Sequence, residues 1–281
     1  RNGSGFYNSA RESETIFDAS YPHNFKTVYK NYWMFDNEAH SYAAEYRKQN
    51  PDVEIDVRSL YGIVKVYETA TSLIGQNVLE NGKTMGLAAH GNPDAQFPDL
   101  FVENTNIPND FYFGHEFNDG ENLEATYLDL TEFRNKNFTK HNVSIYADYA
   151  LHVQKQTQEA VCRLIDKAIE KTGQKNIVIT GGYGLNVVAN SYYLKKYPDI
   201  NFYFEPLADD SGTSIGGAMI AYRVLTKDTK KYPLDHTFFH GNTYSVDNDI
   251  GKECTIDDIV KILTEQKSVG LFQGKAEAGP R

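Results

Sequence analysis

Three observations predict an α/β fold with parallel strands. Residues 175 to 225 run strand, glycine turn, helix, strand, glycine turn, helix. A long amphipathic helix pattern, residues 144 to 172, leads directly into that run. The chain of 281 residues, 40% hydrophobic and 23% charged, has globular composition and length for two ordinary domains without disulfide or metal staples.

In chain order, the sequence opens on the turn Asn2-Gly3-Ser4-Gly5 and closes in the polar segment GKAEAGPR, and neither end reads as a domain boundary. The expectation is a piece cut short at both ends. Residues 21 to 48 read as helical, with Phe25, Val28, Tyr29 and Tyr32 on one face, opening a helix-rich first third. Residues 60 to 80 continue that pattern to a turn at Asn81-Gly82, and KTMGLAAHGNP follows as a glycine-punctuated segment. Polar and aromatic residues from Asn92 to Asn142 read as an irregular excursion with room for a hairpin or two. The helix of residues 144 to 172 carries a buried stripe of Ala150, Val153, Val161, Leu164, Ile165, Ala168 and Ile169 and stops at Gly173. Ile177-Val178-Ile179 and Phe202-Tyr203-Phe204 are short, apolar and β-prone, as parallel strands covered on both faces are.

Composition removes several classes. No stretch approaches eighteen apolar residues and the first residues lack a signal-peptide pattern, so no membrane partner is expected and a cytoplasmic location is the default. Cys162 and Cys254 form neither a metal-type nor a redox-type pair, which suits a reducing compartment. The Asn-x-Ser/Thr triplets at Asn2, Asn137 and Asn142 are then chance matches. A net charge of −10 gives no strong nucleic-acid signal while leaving room for a small anion held locally. The 20 tyrosines and 16 phenylalanines are read mainly as packing residues.

Both glycine turns fall at the C-terminal ends of strands, where open α/β sheets bind ligands. Gly181-Gly182-Tyr183-Gly184-Leu185-Asn186 sets backbone N–H groups and a helix dipole toward a phosphate or other anion, or is a tight turn with glycines for steric reasons alone. Asp209-Asp210-Ser211-Gly212-Thr213 offers carboxylates to a divalent cation, or caps a helix without a ligand. Two motifs are discounted. Lys83-Thr84 resembles the end of a P-loop, but Asn77 stands where the first glycine belongs. His236 and His240 have helical zinc spacing in a turn-like context after Pro233. A dinucleotide-binding reading, and with it a nicotinamide oxidoreductase, is the rival: Gly182-x-Gly184 follows a strand and Glu205 ends the next, although Val187 replaces the third glycine.

Four segments in order resemble the O-carbamoyltransferase family of nodulation-factor and antibiotic-tailoring enzymes: YPHNFKTVYKNYWMF, NGKTMGLAAHG, ITGGYGLNVVAN with EPLADDSGTSIGGAM, and the terminal LFQGKAEAGPR. The resemblance implies part of a domain of the acetate kinase, sugar kinase and actin-like superfamily, followed by the start of a YrdC-like C-terminal domain. Residues 1–91 would be the remainder of the first actin-like subdomain, 92–230 the second, and 231–281 a linker and the start of the YrdC-like domain. It further implies that carbamoyl phosphate and ATP give a carbamoyl-adenylate, whose carbamoyl group passes to a small-molecule or nucleoside hydroxyl at a site bearing Fe2+ or Mg2+.

By the same resemblance, Asp210 rather than Asp209 is the metal and catalytic aspartate, and Lys83 joins it, with Met85 and Gly86 lining the cleft. Gly181, Gly182, Asn186 and Gly212 bind the nucleotide, and Gly274, Glu277, Gly279, Pro280 and Arg281 begin the carbamoyl-phosphate side. The sequence departs from the pattern at Tyr183 and Gly184, and none of His23, His40, His90, His115 or His141 sits in a metal-binding motif like the family's. Because the resemblance places the family's metal-binding histidines upstream of Arg1 and most of the C-terminal domain beyond Arg281, the fragment alone is not expected to make the adenylate. The metal would act as a Lewis acid on the carbamoyl carbonyl. A non-catalytic nucleotide-binding module is a third reading, acceptor selection is sought in residues 92 to 142, and a homodimer is compatible with all of this.

Overall fold

The computed structural model describes residues 11–33, 39–58, 62–109, 145–233, 241–244 and 251–277, and the backbone alone of residues 39–43. Among these, the chain is mixed α/β and divides into two compact units, Arg1–Phe204 and Glu205–Arg281.

The first unit opens with strands where helix was expected. β1 (Arg11–Ser20) and β2 (Asn24–Trp33) pair antiparallel, and β2 pairs parallel with β3 (Glu54–Arg58) across the helix α1 (Ala39–Gln49). The helical reading of residues 21 to 48 therefore holds only for its last third. NFKTVYKNYW is rich in β-branched and aromatic residues, which suit a pleated, half-buried surface. Its apolar residues fell by coincidence at helical spacing: Phe25, expected on the buried face, is 58% exposed.

The long helix α4 (Ile145–Thr172) is the spine of this unit. The helices α2 (Ile63–Leu73) and α3 (Asn81–Ala88) pack beside it. Ile63, Val66, Tyr67 and Ala70 of α2, Ala88 of α3, and Tyr149, Ala150, Val153 and Ala160 of α4 build one core. The predicted stripe is present, with Ala150, Val153 and Ile165 buried and Val161, Leu164, Ala168 and Ile169 partly so. Gly173 ends the helix at φ 67°, its N–H donating to the Ile169 carbonyl at 2.8 Å. The expected Asn81-Gly82 turn is instead the first turn of α3. Tertiary contact overrides the weak local preference: the buried Thr71 hydroxyl lies 2.9 Å from Asn81 Oδ1 and 2.8 Å from Thr84 Oγ1.

The sheet and the helices are joined by polar contacts. The N–H of Ile63, first residue of α2, donates to Glu14 Oε1 at 2.7 Å, and Asn31 Nδ2 donates to Glu14 Oε2 at 2.6 Å. A side chain at Gly62 would bring its Cβ to 2.2 Å from Glu14 Oε1, so a glycine stands at this approach. Lys167 and Lys171 of α4 pair with Glu54 of β3, and the Lys167 ammonium sits 4.1 Å from the centre of the Tyr29 ring. Residues 92–109 are irregular, as expected, yet Leu100 and Phe101 enter the core and His152 Nε2 meets the Pro98 carbonyl at 2.9 Å. Of the hairpins anticipated in this excursion, one isolated antiparallel bridge joins Phe101 and Pro108, flanked by the Val102 N–H donating to the Ile107 carbonyl at 2.8 Å and the Asn109 N–H to the Leu100 carbonyl at 2.9 Å; residues 110–142 lie outside the described residues.

The parallel α/β unit forms as read. β4 (Asn176–Ile179) pairs parallel with β5 (Asn201–Phe204), and α5 (Val187–Lys196) connects them. Ile177, Ile179, Phe202 and Phe204 pack on Cys162 and Ile165 of α4 and Ala189 and Tyr193 of α5. The opposite face presents Val178, 63% exposed, and Tyr203, so the expectation that both faces are covered is corrected: the strands alternate, apolar on both sides but packed on one. The second unit holds α6 (Ser211–Thr226) and α7 (Ile256–Gln266), the latter opened by a capping box of Thr255 and Asp258. Among the described residues no helix is long and apolar enough to cross a membrane.

Two outcomes follow. Ile63→Ala, removing a side chain 1% exposed, should cost about 2–5 kcal/mol in denaturant unfolding, while Leu79→Ala, at a position 90% exposed, should stay within about 0.5 kcal/mol. Burial opposes ionisation of Glu54, but hydrogen bonds from Lys167 and Lys171 outweigh it and hold the carboxyl below the usual range. Its contribution is present above the ordinary carboxylate pKa and fades as pH falls through the depressed value. Melting curves should thus show Glu54→Gln less stable than the parent at neutral pH, with the two converging in acid.

Candidate functional site

The first glycine turn is anchored below and open above. After β4 the chain turns through Gly181, at φ 87°, into one 3₁₀ turn over Gly182–Leu185 and then α5. A positive φ admits glycine and strains any other residue. Cβ atoms built on Gly181 and Gly182 meet nothing within 4 Å, and both residues are exposed. Exposed backbone beside the start of a helix can be approached closely by an anion.

Beneath the turn, Tyr183 points into the core. Its ring meets Tyr67 edge to face at 5.8 Å between centres, and its hydroxyl donates to Thr157 Oγ1 at 2.9 Å. Burial pushes the Tyr183 hydroxyl up to about 12, keeping it neutral. The residue that departs from the family's pattern is thus the pin that fastens the turn to α4.

Asn186 caps α5: its Oδ1 accepts from the Ala189 N–H at 3.0 Å. The same oxygen accepts from Gln154 Nε2 at 3.1 Å, and Asn186 Nδ2 donates to Gln154 Oε1 at 3.0 Å. Tyr67 also donates its hydroxyl to Gln154 Oε1, at 2.9 Å. The Asn186 side chain is therefore engaged inside the fold, and the groups it leaves toward the open side are backbone. Sequence reasoning missed Gln154. The signal was a glutamine falling between Val153 and Thr157 on the buried face of an amphipathic helix, where an uncharged polar side chain needs partners.

Lys83 lies in α3, its side chain 58% exposed and its ammonium paired with Glu80. Hydrogen bonds from Lys83 and from the Asn77 N–H hold the Glu80 carboxyl below the usual range. The helix containing Lys83 and the turn containing Tyr183 pack on the same core, through Ala88 and the Tyr183 ring.

In the second unit the two aspartates differ. Asp209 folds back on its own turn, Oδ1 accepting from the Ser211 N–H at 3.0 Å and from the Ser211 hydroxyl. Asp210, at the N-cap of α6, is exposed and makes no side-chain capping bond. At Gly212 a Cβ would lie 2.1 Å from the Leu207 carbonyl oxygen, so this glycine has a packing reason of its own. Glu205, the ribose partner of the dinucleotide reading, accepts from the Leu207 N–H at 3.0 Å through Oε1, within its own loop. Glu277 is exposed beside Ala276, whose carbonyl accepts from the Gly241 N–H at 2.9 Å and whose N–H donates to the Asn242 carbonyl at 3.0 Å; Gly279, Pro280 and Arg281 lie outside the described residues. So do His115, His141, His236 and His240. Among the described residues no three His, Cys, Asp or Glu side chains gather as a metal-binding group, and Asp210 by itself is not a ligand set.

Comparison with known proteins places these features in a family. A family model described as the carbamoyltransferase N-terminus matches residues 23–219, a span containing Lys83 and both glycine turns. An uncharacterised protein of Synechocystis is 27% identical over 224 residues, covering 71% of this chain and 36% of its own length. Nodulation protein NolNO of Sinorhizobium fredii is 23% identical over 231 residues, 77% of this chain and 33% of its own. Nodulation protein U of Rhizobium tropici is 32% identical over 113 residues, 39% of this chain and 19% of its own. The chain spans about a third or less of these curated relatives.

The contrast between adjacent glycines is measurable. Gly181→Ala should lose about 1–3 kcal/mol of unfolding free energy from its positive φ, while Gly182→Ala, entering open space, should unfold like the parent in the same denaturant titration.

Proposed function

The chain belongs to the carbamoyltransferase family, and on that premise we propose that the protein containing it moves a carbamoyl group from carbamoyl phosphate, through an ATP-derived carbamoyl-adenylate, to an acceptor hydroxyl. The observation that carries the reading is the unbroken family match across Lys83, Gly181–Asn186 and Asp209–Gly212. The open backbone at Gly181 and Gly182 supports it, because a phosphate can be approached there without displacing a side chain.

In this reading the N–H groups at the first turn and the positive end of α5 hold the nucleotide phosphate. Asn186 sets their direction, and the Lys83 ammonium supplies positive charge toward the anionic substrates. Gly212 lets the second turn close tightly, and the exposed Asp210 carboxylate is the residue assigned to a divalent cation, Fe2+ or Mg2+. Glu277 and Arg281 are assigned to the carbamoyl-phosphate side. The adenylate carries AMP as its leaving group, so attack by the acceptor oxygen on the carbamoyl carbon expels a stabilised phosphate anion. At the level of fold we propose part of an acetate kinase, sugar kinase and actin-like domain, with a YrdC-like domain beginning after residue 231. The acceptor is a small molecule or a nucleoside, and the reading takes the protein to be cytoplasmic. The nicotinamide reading is not carried forward, since no observation favours it over the family.

The test is transfer of label from radiolabelled carbamoyl phosphate by the full-length protein with ATP and Mg2+ or Fe2+. ATP-dependent transfer is expected, with Asp210→Ala lowering it by about a hundredfold or more, the size seen when a single charge-stabilising group is lost. Turnover without ATP, or none with a broad acceptor set, would sink the reading.

A further inference from the structure

We propose that Gln154 is a positioning residue for the first glycine turn, fixing the backbone N–H groups at the start of α5 in the direction an anion requires; this rests on the nucleotide reading of that turn. Gln154 is 2% exposed on a helix face that is otherwise mainly apolar. A buried amide is costly unless its donors and acceptors are satisfied. Here they are satisfied by the cap residue of the neighbouring element: Nε2 donates to Asn186 Oδ1 at 3.1 Å, and Oε1 accepts from Asn186 Nδ2 at 3.0 Å and from the Tyr67 hydroxyl at 2.9 Å.

Two opposed hydrogen bonds between planar amides resist both sliding and rotation, which a Leu at this place would not do. Through Asn186 the restraint passes to the Ala189 N–H in the first turn of α5. One helical turn beyond Asn186, Asn190, 8% exposed, donates through Nδ2 to the Gly184 carbonyl at 2.8 Å, while its own Oδ1 is buried without a partner among the described residues. The turn is therefore held from α4 at its cap and from α5 at Gly184, and its exposed half, Gly181 and Gly182, is left to face a ligand.

The experiment uses the full-length protein with Gln154→Leu and Gln154→Glu. In the ligand-free protein, hydrogen exchange at amides 182–189 should speed up in the Leu variant while the rest of α4 keeps its protection. Affinity for ATP with Mg2+ should weaken about tenfold, the order expected when hydrogen bonds are lost from a buried network. The Glu variant adds a pH readout that simple packing would not move. A protonated carboxyl offers one O–H donor and one carbonyl acceptor, enough to replace the single Nε2 donor and the Oε1 acceptor that Gln154 uses here, and burial raises its pKa. Its ATP affinity should therefore approach the parent's at low pH and fall as pH rises, while the Leu variant stays weak throughout. Unchanged exchange at 182–189, or equal loss in both variants at every pH, would overturn the proposal. If the parent itself binds no ATP, the nucleotide reading fails, and the exchange data still decide whether Gln154 holds the turn.

Discussion

The pair of hydrogen bonds between Gln154 and Asn186 is the constraint around which the first unit is arranged. Each amide is buried, and each satisfies the other, so separating α4 from the glycine turn would leave unpaired donors and acceptors in the core. Apolar contact alone would hold the same helices together but would tolerate small shifts. Tyr183 reinforces the link with a hydroxyl to Thr157 and a ring against Tyr67, so Tyr183 and Asn186 are both fastened to α4, and Tyr183 meets α2 as well.

The two glycine turns look alike on paper and are built for different reasons. At Gly181 and Gly182 the missing side chains leave open space, and at Gly212 the missing side chain is what lets the Leu207 carbonyl come close. The adjacent aspartates divide in the same way, Asp209 serving its own turn and Asp210 standing outward. A motif comparison alone could prefer Asp210 over Asp209 only by alignment with the family's pattern; the fold supplies a physical distinction between them.

What could be read from residues alone was what local pattern determines. The helix of α4, its stop at Gly173 and the strand and turn order from 176 onward follow from periodicity and glycine placement, and they stand in the structure. The first sheet did not read correctly, because aromatic residues of a β-prone run happened to fall three and four apart, and because pairing with β1 and β3 is not written in the run itself. Asn81 and Gly82 read as a turn by composition, yet Thr71 pulls them into a helix. At the site, the glycines were visible and Gln154 was not, since a glutamine within a helix has no meaning until its partner across the core is known.

The start of α2 shows how far such nonlocal determination goes. Its first amide is answered by Glu14, a residue 49 positions earlier on another element, and Gly62 has no side chain to offer as a local cap. The helix thus has no start signal of its own and acquires a defined beginning only when the hairpin has docked. Seating the helix against the sheet and defining its first turn are therefore one requirement, met by a carboxylate that belongs to the sheet.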